Sequence, residues 1–97
     1  MGNGYIYEIV CKDETCPDTY IGCTRTPDRR KAQHKYNCCK GKESNRRLYR
    51  TIRENGDWDN WSFNIITTIH SDSVLFLSVM ERYYIKLFNP SLNIIKY

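Results

Sequence analysis

Long apolar runs are missing from this 97-residue sequence, and so are internal repeats and low-complexity segments. No stretch approaches the roughly 20 apolar residues that a membrane-spanning helix needs, so we expect no membrane partner. The N-terminal residues lead directly into a predicted strand, and the sequence therefore predicts no secretory signal peptide. A chain of this length without linkers is expected to form one domain, residues 1–97, around a single modest core.

Cysteine occurs in an odd number, which predicts free thiols rather than a disulfide framework. The five cysteines are Cys11, Cys16, Cys23, Cys38 and Cys39. Without an export signal they favour an intracellular, reducing compartment, either cytoplasm or nucleus. Cys11 and Cys23 are interpreted as small apolar strand residues. A zinc site formed by the cysteines is an alternative, although the adjacent pair and the four-residue gap fit the usual ligand spacings poorly.

Acidic residues are nearly absent from the middle of the chain. Between residues 25 and 53, Asp28 and Glu43 oppose eleven of the fifteen basic residues. Such a segment is typical of a protein that binds the phosphate backbone of DNA, although a solvated helical face would have a similar composition. The basic residues that we expect to contact DNA are Arg25, Arg29, Lys31, Lys35, Arg46, Arg47 and Arg50.

Aromatic and β-branched residues predict an opening β-hairpin with strands at about residues 5–12 and 19–24. The connection between the strands is polar and contains a proline. Successive side chains of a strand point to opposite faces, so Tyr20 and Gly22 share one face of the second strand. The hairpin therefore brings the hydroxyls of tyrosines such as Tyr7 near a glycine that leaves room for close approach to the backbone.

Three helices and a third strand are predicted after the hairpin. The predicted helices run from Thr26-Pro27 to about residue 39, from Ser44 or Asn45 to about residue 54, and from Asp72 or Ser73 to about residue 87. The alternating segment 61–69 predicts a strand with one apolar face, formed by Trp61, Phe63, Ile65, Thr67 and Ile69. Leu92, Ile94 and Ile95 are expected to pack on the domain. The expected fold class is α+β and sandwich-like, a small three-stranded antiparallel sheet flanked by three helices.

Two of the predicted helices carry polar residues in informative positions. Arg30 and His34 are one turn apart, so they lie on one face of the first helix. Glu81 falls within an arc of the third helix that is otherwise apolar, consisting of Val74, Leu77, Tyr84, Ile85 and Phe88. A carboxylate that faces inward must find a partner, so Glu81 is either a functional ligand or the ion-pair partner of an arginine such as Arg30.

Together these residues resemble the motifs of the GIY-YIG nuclease family. Tyr5-Ile6-Tyr7 stands where the family has Gly-Ile-Tyr, and Tyr20-Ile21-Gly22 matches its Tyr-Ile-Gly. The family's further residues follow in order as Arg30, His34, Glu81 and Asn93. The first motif departs from the pattern, because Tyr5 replaces the usual glycine while Tyr7 keeps its place. The resemblance covers essentially the whole chain and implies the GIY-YIG nuclease fold.

The resemblance also implies a divalent-metal-dependent endonuclease that acts on double-stranded DNA. Its catalytic residues would be Tyr7, Tyr20, Arg30, His34, Glu81 and Asn93. Tyr7 would act as general base or orient the attacking water, Tyr20 would hold water or phosphate, and Asn93 would fix the metal site or the scissile phosphate. Glu81 would hold magnesium (Mg²⁺), with manganese (Mn²⁺) as a possible substitute.

Elementary chemistry agrees with these roles. Magnesium keeps several of its waters and takes one or two carboxylates from protein, so a single glutamate is enough. The planar guanidinium of Arg30 suits phosphate oxygens, and His34 is able to relay a proton near neutral pH. A tyrosine with an ordinary pKa near ~10 is a poor base, so Tyr7 needs a neighbouring cation or a metal-bound water.

Two other functions each explain part of the sequence. A non-catalytic nucleic-acid-binding module on the same fold explains the basic segment, but it does not explain Tyr7, His34 and Glu81 together. A zinc-stabilised interaction domain explains the cysteines alone. No separate helix-turn-helix or zinc finger motif is found, so specificity for a DNA sequence is expected to be low or to come from a partner, a dimer or a region outside this chain.

Overall fold

The computed structural model describes residues 2–93, which form a three-stranded sheet between two layers of helices. The strands are β1 (Asn3–Cys11), β2 (Thr19–Thr24) and β3 (Trp61–His70), and the helices are α1 (Pro27–Cys39), α2 (Arg47–Glu54) and α3 (Val74–Phe88). A short 3-10 helix, Trp58–Asn60, leads into β3. This arrangement confirms the predicted α+β fold, with its antiparallel sheet of three strands and its three helices.

The strand order is β2-β1-β3, and both pairings are antiparallel. The first strand is therefore central, and β2 has one free edge. Tyr7 pairs with Gly22 across the hairpin, as the predicted strand positions require. Residues that are adjacent along a strand point to opposite faces, so Ile6 and Tyr7 enter different cores.

Each face of the sheet has its own apolar core. One core lies under α1 and α2 and consists of Tyr7, Ile9, Cys38, Leu48, Tyr49, Ile52, Trp61 and Leu92. The other lies under α3 and consists of Ile6, Ile21, Ile69 and Leu77. Gly4 allows α3 to approach the sheet, because a Cβ at this position would lie 2.4 Å from Cδ2 of Leu77.

The prediction that the alternating residues of β3 share one apolar face is wrong, because a β-bulge divides the strand. Tyr7 pairs with Ile65 and Ile6 pairs with Thr67, so Ile66 is an extra residue without a partner in β1. An inserted residue moves all later side chains to the opposite face of the sheet. Trp61 and Phe63 therefore face α1 and α2, whereas Ile69 packs under α3.

Two expectations about the helices also need correction. The second helix begins after Arg46 rather than at Ser44 or Asn45, and no side chain caps its first turn. On α3, Leu77 is buried as predicted, but Val74 and Phe88 are exposed because both lie at the ends of the helix. Ser73 does cap α3, since its hydroxyl accepts a hydrogen bond from the N–H of Phe76.

The C-terminal segment runs along the free edge of β2. Leu92 is buried, and its N–H donates a hydrogen bond to the carbonyl of Thr19 at 2.9 Å. Ile94 and Ile95, which were expected to pack on the domain, lie outside the described residues. Within residues 2–93, every helix is too short or too polar to cross a lipid bilayer.

Candidate active site

The centre of the candidate site is the contact between Gly22 and Tyr7 on paired strands. A Cβ at Gly22 would lie 2.4 Å from the Tyr7 hydroxyl, so glycine is required for the ring to lie over β2. Phe63 stacks on the other side of the Tyr7 ring at a centroid distance of 4.5 Å. Tyr7 is completely buried as a result, and its orientation is fixed by packing.

His34 joins Tyr7 to a second buried tyrosine. The Tyr7 hydroxyl lies 2.8 Å from Nε2 of His34, and the Tyr49 hydroxyl lies 2.9 Å from Nδ1. Asn37 donates a hydrogen bond from Nδ2 to the Tyr49 hydroxyl at 3.3 Å. We call these four residues, Tyr7, His34, Tyr49 and Asn37, the buried relay.

Sequence reasoning missed two members of the buried relay. Asn37 lies three residues after His34 on α1, and this helical spacing was a usable signal. Tyr49 is a buried residue of α2. Its contact with His34 depends on how α1 packs against α2, and no local pattern in the sequence indicates it.

Burial controls the ionisation of the buried relay. Burial, together with the positive charges of Arg30 and Arg46, lowers the pKa of His34 to about 4. His34 is therefore neutral near pH 7, so one ring nitrogen donates a hydrogen bond and the other accepts one. Burial raises the pKa of Tyr7 far above 10.0, the nearby Tyr20 adds to the increase, and the nearby guanidinium of Arg30 opposes it.

Tyr20 connects the buried relay to the surface. Its ring centroid lies 6.4 Å from that of Tyr7 and 5.8 Å from that of His34. Tyr20 is half-buried, so solvent reaches it more readily than Tyr7. Burial raises the pKa of Tyr20, and Glu81 adds to the increase, whereas Arg46 opposes it.

The free edge of β2 is where the two helical layers meet. The side chain of Asn93 accepts a hydrogen bond from the Ile21 N–H at 2.8 Å and donates one to the Ile21 carbonyl at 2.7 Å. The next edge-facing N–H, that of Cys23, lies near the carboxylate of Glu81 and lowers its pKa. Glu81 therefore reaches the site from α3, around the edge of the sheet, while Tyr20 approaches it from the opposite face.

The carboxylate of Glu81 is half-buried beside a cation. Burial raises the pKa of Glu81, and both the Cys23 N–H and the charge of Arg30 oppose the increase. The ion pairs formed within residues 2–93 do not include one between Glu81 and Arg30. The alternative of a structural ion pair therefore lacks support, and the carboxylate keeps lone pairs for another ligand.

The structure brings together five of the six residues predicted to be catalytic. Arg30 is close enough to influence the pKa of all four others, which are Tyr7, Tyr20, His34 and Glu81. Asn93 lies next to this group, but its amide is occupied by the backbone of β2. Its geometry favours a role in holding the edge strand, and direct contact with metal or phosphate stays a prediction.

The residues predicted to bind DNA are distributed unevenly around this site. Arg29, Lys31, Lys35, Arg46 and Arg50 are exposed. Arg25 donates a hydrogen bond to the Ser71 carbonyl at 2.9 Å, and Arg47 donates one to the Ser91 carbonyl at 3.0 Å. Their contact with DNA stays a prediction, but Arg46 is the basic residue of this set that most affects Tyr20.

Comparisons with known proteins agree with this geometry. The model of the GIY-YIG catalytic domain matches residues 3–94, which is nearly the whole chain. The searches of curated proteins and of solved structures found no match. Members of the matched family are in general endonucleases that act on DNA and use divalent metals. The chain therefore belongs to the GIY-YIG family of nuclease domains.

Proposed function

We propose that this protein is an endonuclease that hydrolyses phosphodiester bonds of double-stranded DNA with one divalent ion, Mg²⁺ or Mn²⁺. The observation that carries this proposal is that Arg30 lies near enough to both Tyr20 and Glu81 to lower their pKa values, next to the buried relay. Three different elements supply these side chains. A binding module would have no need for a half-buried carboxylate beside its phosphate-binding arginine.

The donor set suits a hard cation bound through a single carboxylate. Among residues 2–93, no three His, Cys, Asp or Glu side chains lie close enough to share a metal ion, which removes the ligand set of a zinc site. Magnesium needs one or two protein carboxylates and retains its waters, and Glu81 supplies one. A bound ion would neutralise charge on the phosphate and lower the pKa of a coordinated water molecule.

Arg30 and Arg46 are the candidates for binding the scissile phosphate. Both lower the pKa of His34 and of Tyr20, so both guanidinium groups lie near these two side chains. A guanidinium donates parallel hydrogen bonds to two phosphate oxygens and keeps its charge at every relevant pH. These two residues therefore position the substrate and stabilise negative charge as the bond breaks.

The buried relay supports a role for Tyr7 in activating water. When the neutral Tyr7 hydroxyl donates a hydrogen bond to Nε2 of His34, its oxygen keeps lone pairs that accept a hydrogen bond from an attacking water. Nδ1 of His34 then donates to Tyr49, which fixes the tautomer. The nearby guanidinium of Arg30 lowers the pKa of Tyr7 and counteracts part of the effect of burial.

A plasmid-cleavage assay tests the proposal. The parent is expected to nick and linearise supercoiled DNA with Mg²⁺ and to be inactive with a chelator. Glu81→Gln is expected to reduce the rate by about 100-fold or more while DNA binding is retained, because the substitution removes only the metal-binding charge. The matched control is Glu54→Gln, an exposed carboxylate at the end of α2.

Each outcome of this assay decides between functions. Undiminished cleavage by Glu81→Gln would exclude this residue as the metal ligand. If the parent binds DNA but does not cut it with either metal ion, the protein is a non-catalytic binding module. Equal losses in Glu81→Gln and Glu54→Gln would indicate a general effect of charge and contradict the assigned site.

A further inference from the structure

A cavity of about 350 Å³ lies beside the buried relay and has no role in the proposed function. It opens between α1, the 3-10 helix and the start of β3, at the edge of the sheet opposite to β2. Its lining includes Lys12, Lys31, Trp58, Asp59, Phe63 and Asn64, and we call it the Trp58 pocket. Sites for small ligands usually have volumes of about 300–1,000 Å³, so this pocket is large enough to hold one.

Two aromatic side chains of the Trp58 pocket also contact the buried relay. Phe63 stacks on Tyr7, and the ring of Trp58 lies nearly parallel to that of His34, at a centroid distance of 6.5 Å and an angle of 18°. Both aromatic residues are only half-buried and both line the pocket, so part of each ring is accessible from it. An accessible aromatic ring provides a surface on which any nucleobase stacks.

The charged residues of the Trp58 pocket suit the other parts of a nucleotide. Lys12 and Lys31 are exposed, and neither takes part in an ion pair among residues 2–93. The Lys12 ammonium donates a hydrogen bond to the Asp59 carbonyl at 2.9 Å and keeps two further donors for a phosphate. The carboxylate of Asp59 repels phosphate but accepts hydrogen bonds from the amino group of a base. A simple anion would leave both this carboxylate and the aromatic rings unused, whereas a nucleotide uses them all.

A base reaches a pocket of this kind only when it has left the helical stack. In a duplex, neighbouring bases cover both faces of each base, so enzymes that hold a base in a pocket extrude it or act where it is single-stranded. Extrusion costs least for a base that is mismatched or already unpaired. The Trp58 pocket therefore favours DNA that contains an unpaired nucleotide.

The distance between the Trp58 pocket and the candidate active site sets where such a nucleotide would lie. The pocket is at β3 and the site is at β2, which are separated by two strand spacings, on the order of 10 Å. One strand of duplex DNA advances about 3.4 Å per nucleotide along the helix axis. A base in the pocket is therefore within about three nucleotides of a phosphate bound at β2.

We infer that the Trp58 pocket binds an unpaired base of the DNA substrate, close to the phosphodiester bond that is cut. Trp58 stacks on the base, and the two lysines bind its phosphate. This inference rests on the proposed function and names the substrate class, DNA with a bulged or otherwise unpaired nucleotide. Binding of the base is measured without cleavage, so the two proposals are tested separately.

Fluorescence anisotropy with three end-labelled duplexes, in the presence of a chelator, tests the Trp58 pocket. One duplex is fully paired, the second has one unpaired adenine nucleotide, and the third has an abasic nucleotide at the same position. The parent is expected to bind the unpaired adenine about tenfold more tightly than the abasic nucleotide, because stacking on one aromatic side chain contributes on this scale. Trp58→Leu should remove this difference and Trp58→Phe should keep part of it. Equal affinity of the parent for the two bulged duplexes would overturn the inference.

Tyr36→Leu is the matched control for the loss of an aromatic ring. Tyr36 is 58% exposed on α1 and lies outside the Trp58 pocket, so this variant should discriminate between the bulged duplexes like the parent. Loss of discrimination in Tyr36→Leu, with its retention in Trp58→Leu, would place the base elsewhere and overturn the inference. Trp58 also packs on the core, so urea unfolding must first establish that Trp58→Leu is folded.

Lys31→Gln tests the Trp58 pocket without disturbing the core, because this lysine is exposed. The variant should weaken binding of both bulged duplexes more than binding of the paired duplex, since only an extruded nucleotide places its phosphate in the pocket. Lys35→Gln, which removes a charge from α1 outside the pocket, should weaken binding of all three duplexes alike. Equal losses for all three duplexes in Lys31→Gln would contradict the assigned phosphate contact.

Cleavage with Mg²⁺ separates this inference from the proposed function. The cuts, mapped by sequencing the product ends, are expected within about three nucleotides of the unpaired base. A protein that cuts paired and bulged DNA alike, at positions unrelated to the base, would overturn the inference and leave the nuclease in place. A protein that prefers the unpaired base but cuts none of the duplexes would overturn the nuclease and leave the pocket as a base-binding site.

Discussion

The two faces of the sheet enclose different kinds of core, although neighbouring residues of one strand supply both. Under α3 the core is aliphatic, with Ile6, Ile21, Ile69 and Leu77 at its centre. Under α1 and α2 it contains tyrosines, a histidine and a tryptophan, and their polar atoms bond to one another. Within the described chain, no buried side-chain nitrogen or oxygen lacks a hydrogen-bond partner.

The difference between the two cores indicates that one mainly stabilises the fold, while the other also positions the polar groups of the candidate site. The aliphatic core fixes the helix that carries Glu81 by packing alone, helped by the contact between Gly4 and Leu77. The aromatic core keeps His34 neutral and holds Tyr7 in a single orientation. Functional groups from both faces approach one another at the outer edge of β2, whose backbone bonds to Leu92 and Asn93.

Of the changes considered, lowering the pH should produce the largest difference between the two cores, because only the core under α1 and α2 contains His34. The pKa of His34 falls from 6.5 to about 4 on folding, so the unfolded chain binds the proton first as the pH decreases. The stability that neutral His34 contributes is fully present above pH 6.5 and is lost progressively towards pH 4. The loss amounts to at most about 3 kcal/mol of unfolding free energy, measured by urea denaturation between pH 7 and 4.

His34→Gln is the variant that isolates this effect. It should flatten the pH dependence between pH 6.5 and 4, whereas His70→Gln, on the exposed end of β3, should preserve it. The remaining dependence comes from carboxylates, which titrate in all three proteins. Identical pH profiles for the parent and His34→Gln would contradict the picture of a histidine buried in its neutral form.

Two glycines, one on each face, provide the next comparison. Alanine at Gly22 would place its Cβ 2.4 Å from the Tyr7 ring, which is locked between β2 and Phe63. Alanine at Gly4 meets Cδ2 of Leu77, the mobile end of an aliphatic side chain. We expect losses of about 2 kcal/mol for Gly22→Ala and about 1 kcal/mol for Gly4→Ala in thermal or urea unfolding.

Measurements of DNA cleavage extend the comparison between Gly22 and Gly4. Gly22→Ala should also reduce DNA cleavage at temperatures where the protein is folded, because it displaces the Tyr7 hydroxyl. Gly4→Ala should leave cleavage close to that of the parent once the loss of stability is taken into account. Equal losses of activity in the two variants would show that DNA cleavage depends equally on the packing of both faces of the sheet.

The features that were predicted correctly from the sequence depend on residues that are close together in the chain. Alternating residues located the hairpin, and Pro27 gave the start of α1 correctly. The residues around the candidate site could be named because the sequence resembles the motifs of the GIY-YIG family. Thr26 occupies the N-cap of α1 without a capping hydrogen bond, so the proline is the more informative residue at that position.

Features that depend on contacts between distant segments could not be predicted. The bulge at Ile66 consists of a single extra residue in an alternating segment, and the sequence of that segment does not indicate it. The helix α3 carries apolar residues on all of its sides, so their periodicity does not identify the side that packs on the sheet. In the structure, the contact of Leu77 with Gly4 identifies that side. Tyr49 was missed for the same reason, since its role depends on the packing of α1 against α2.

The smallest expected effect concerns Tyr49, and it tests whether the aromatic core acts as a chain of hydrogen bonds. Tyr49→Phe removes one hydroxyl and leaves Nδ1 of His34 without its buried partner, at a cost of about 1 kcal/mol in stability. Cleavage should fall by up to about tenfold through kcat, and the pH profile of kcat should shift, because the tautomer of His34 is no longer fixed. Tyr36→Phe, on the exposed side of α1, should change neither. Unchanged kcat and an unchanged profile in Tyr49→Phe would mean that Tyr7 and His34 act without Tyr49, and that the polar atoms of this core serve packing alone.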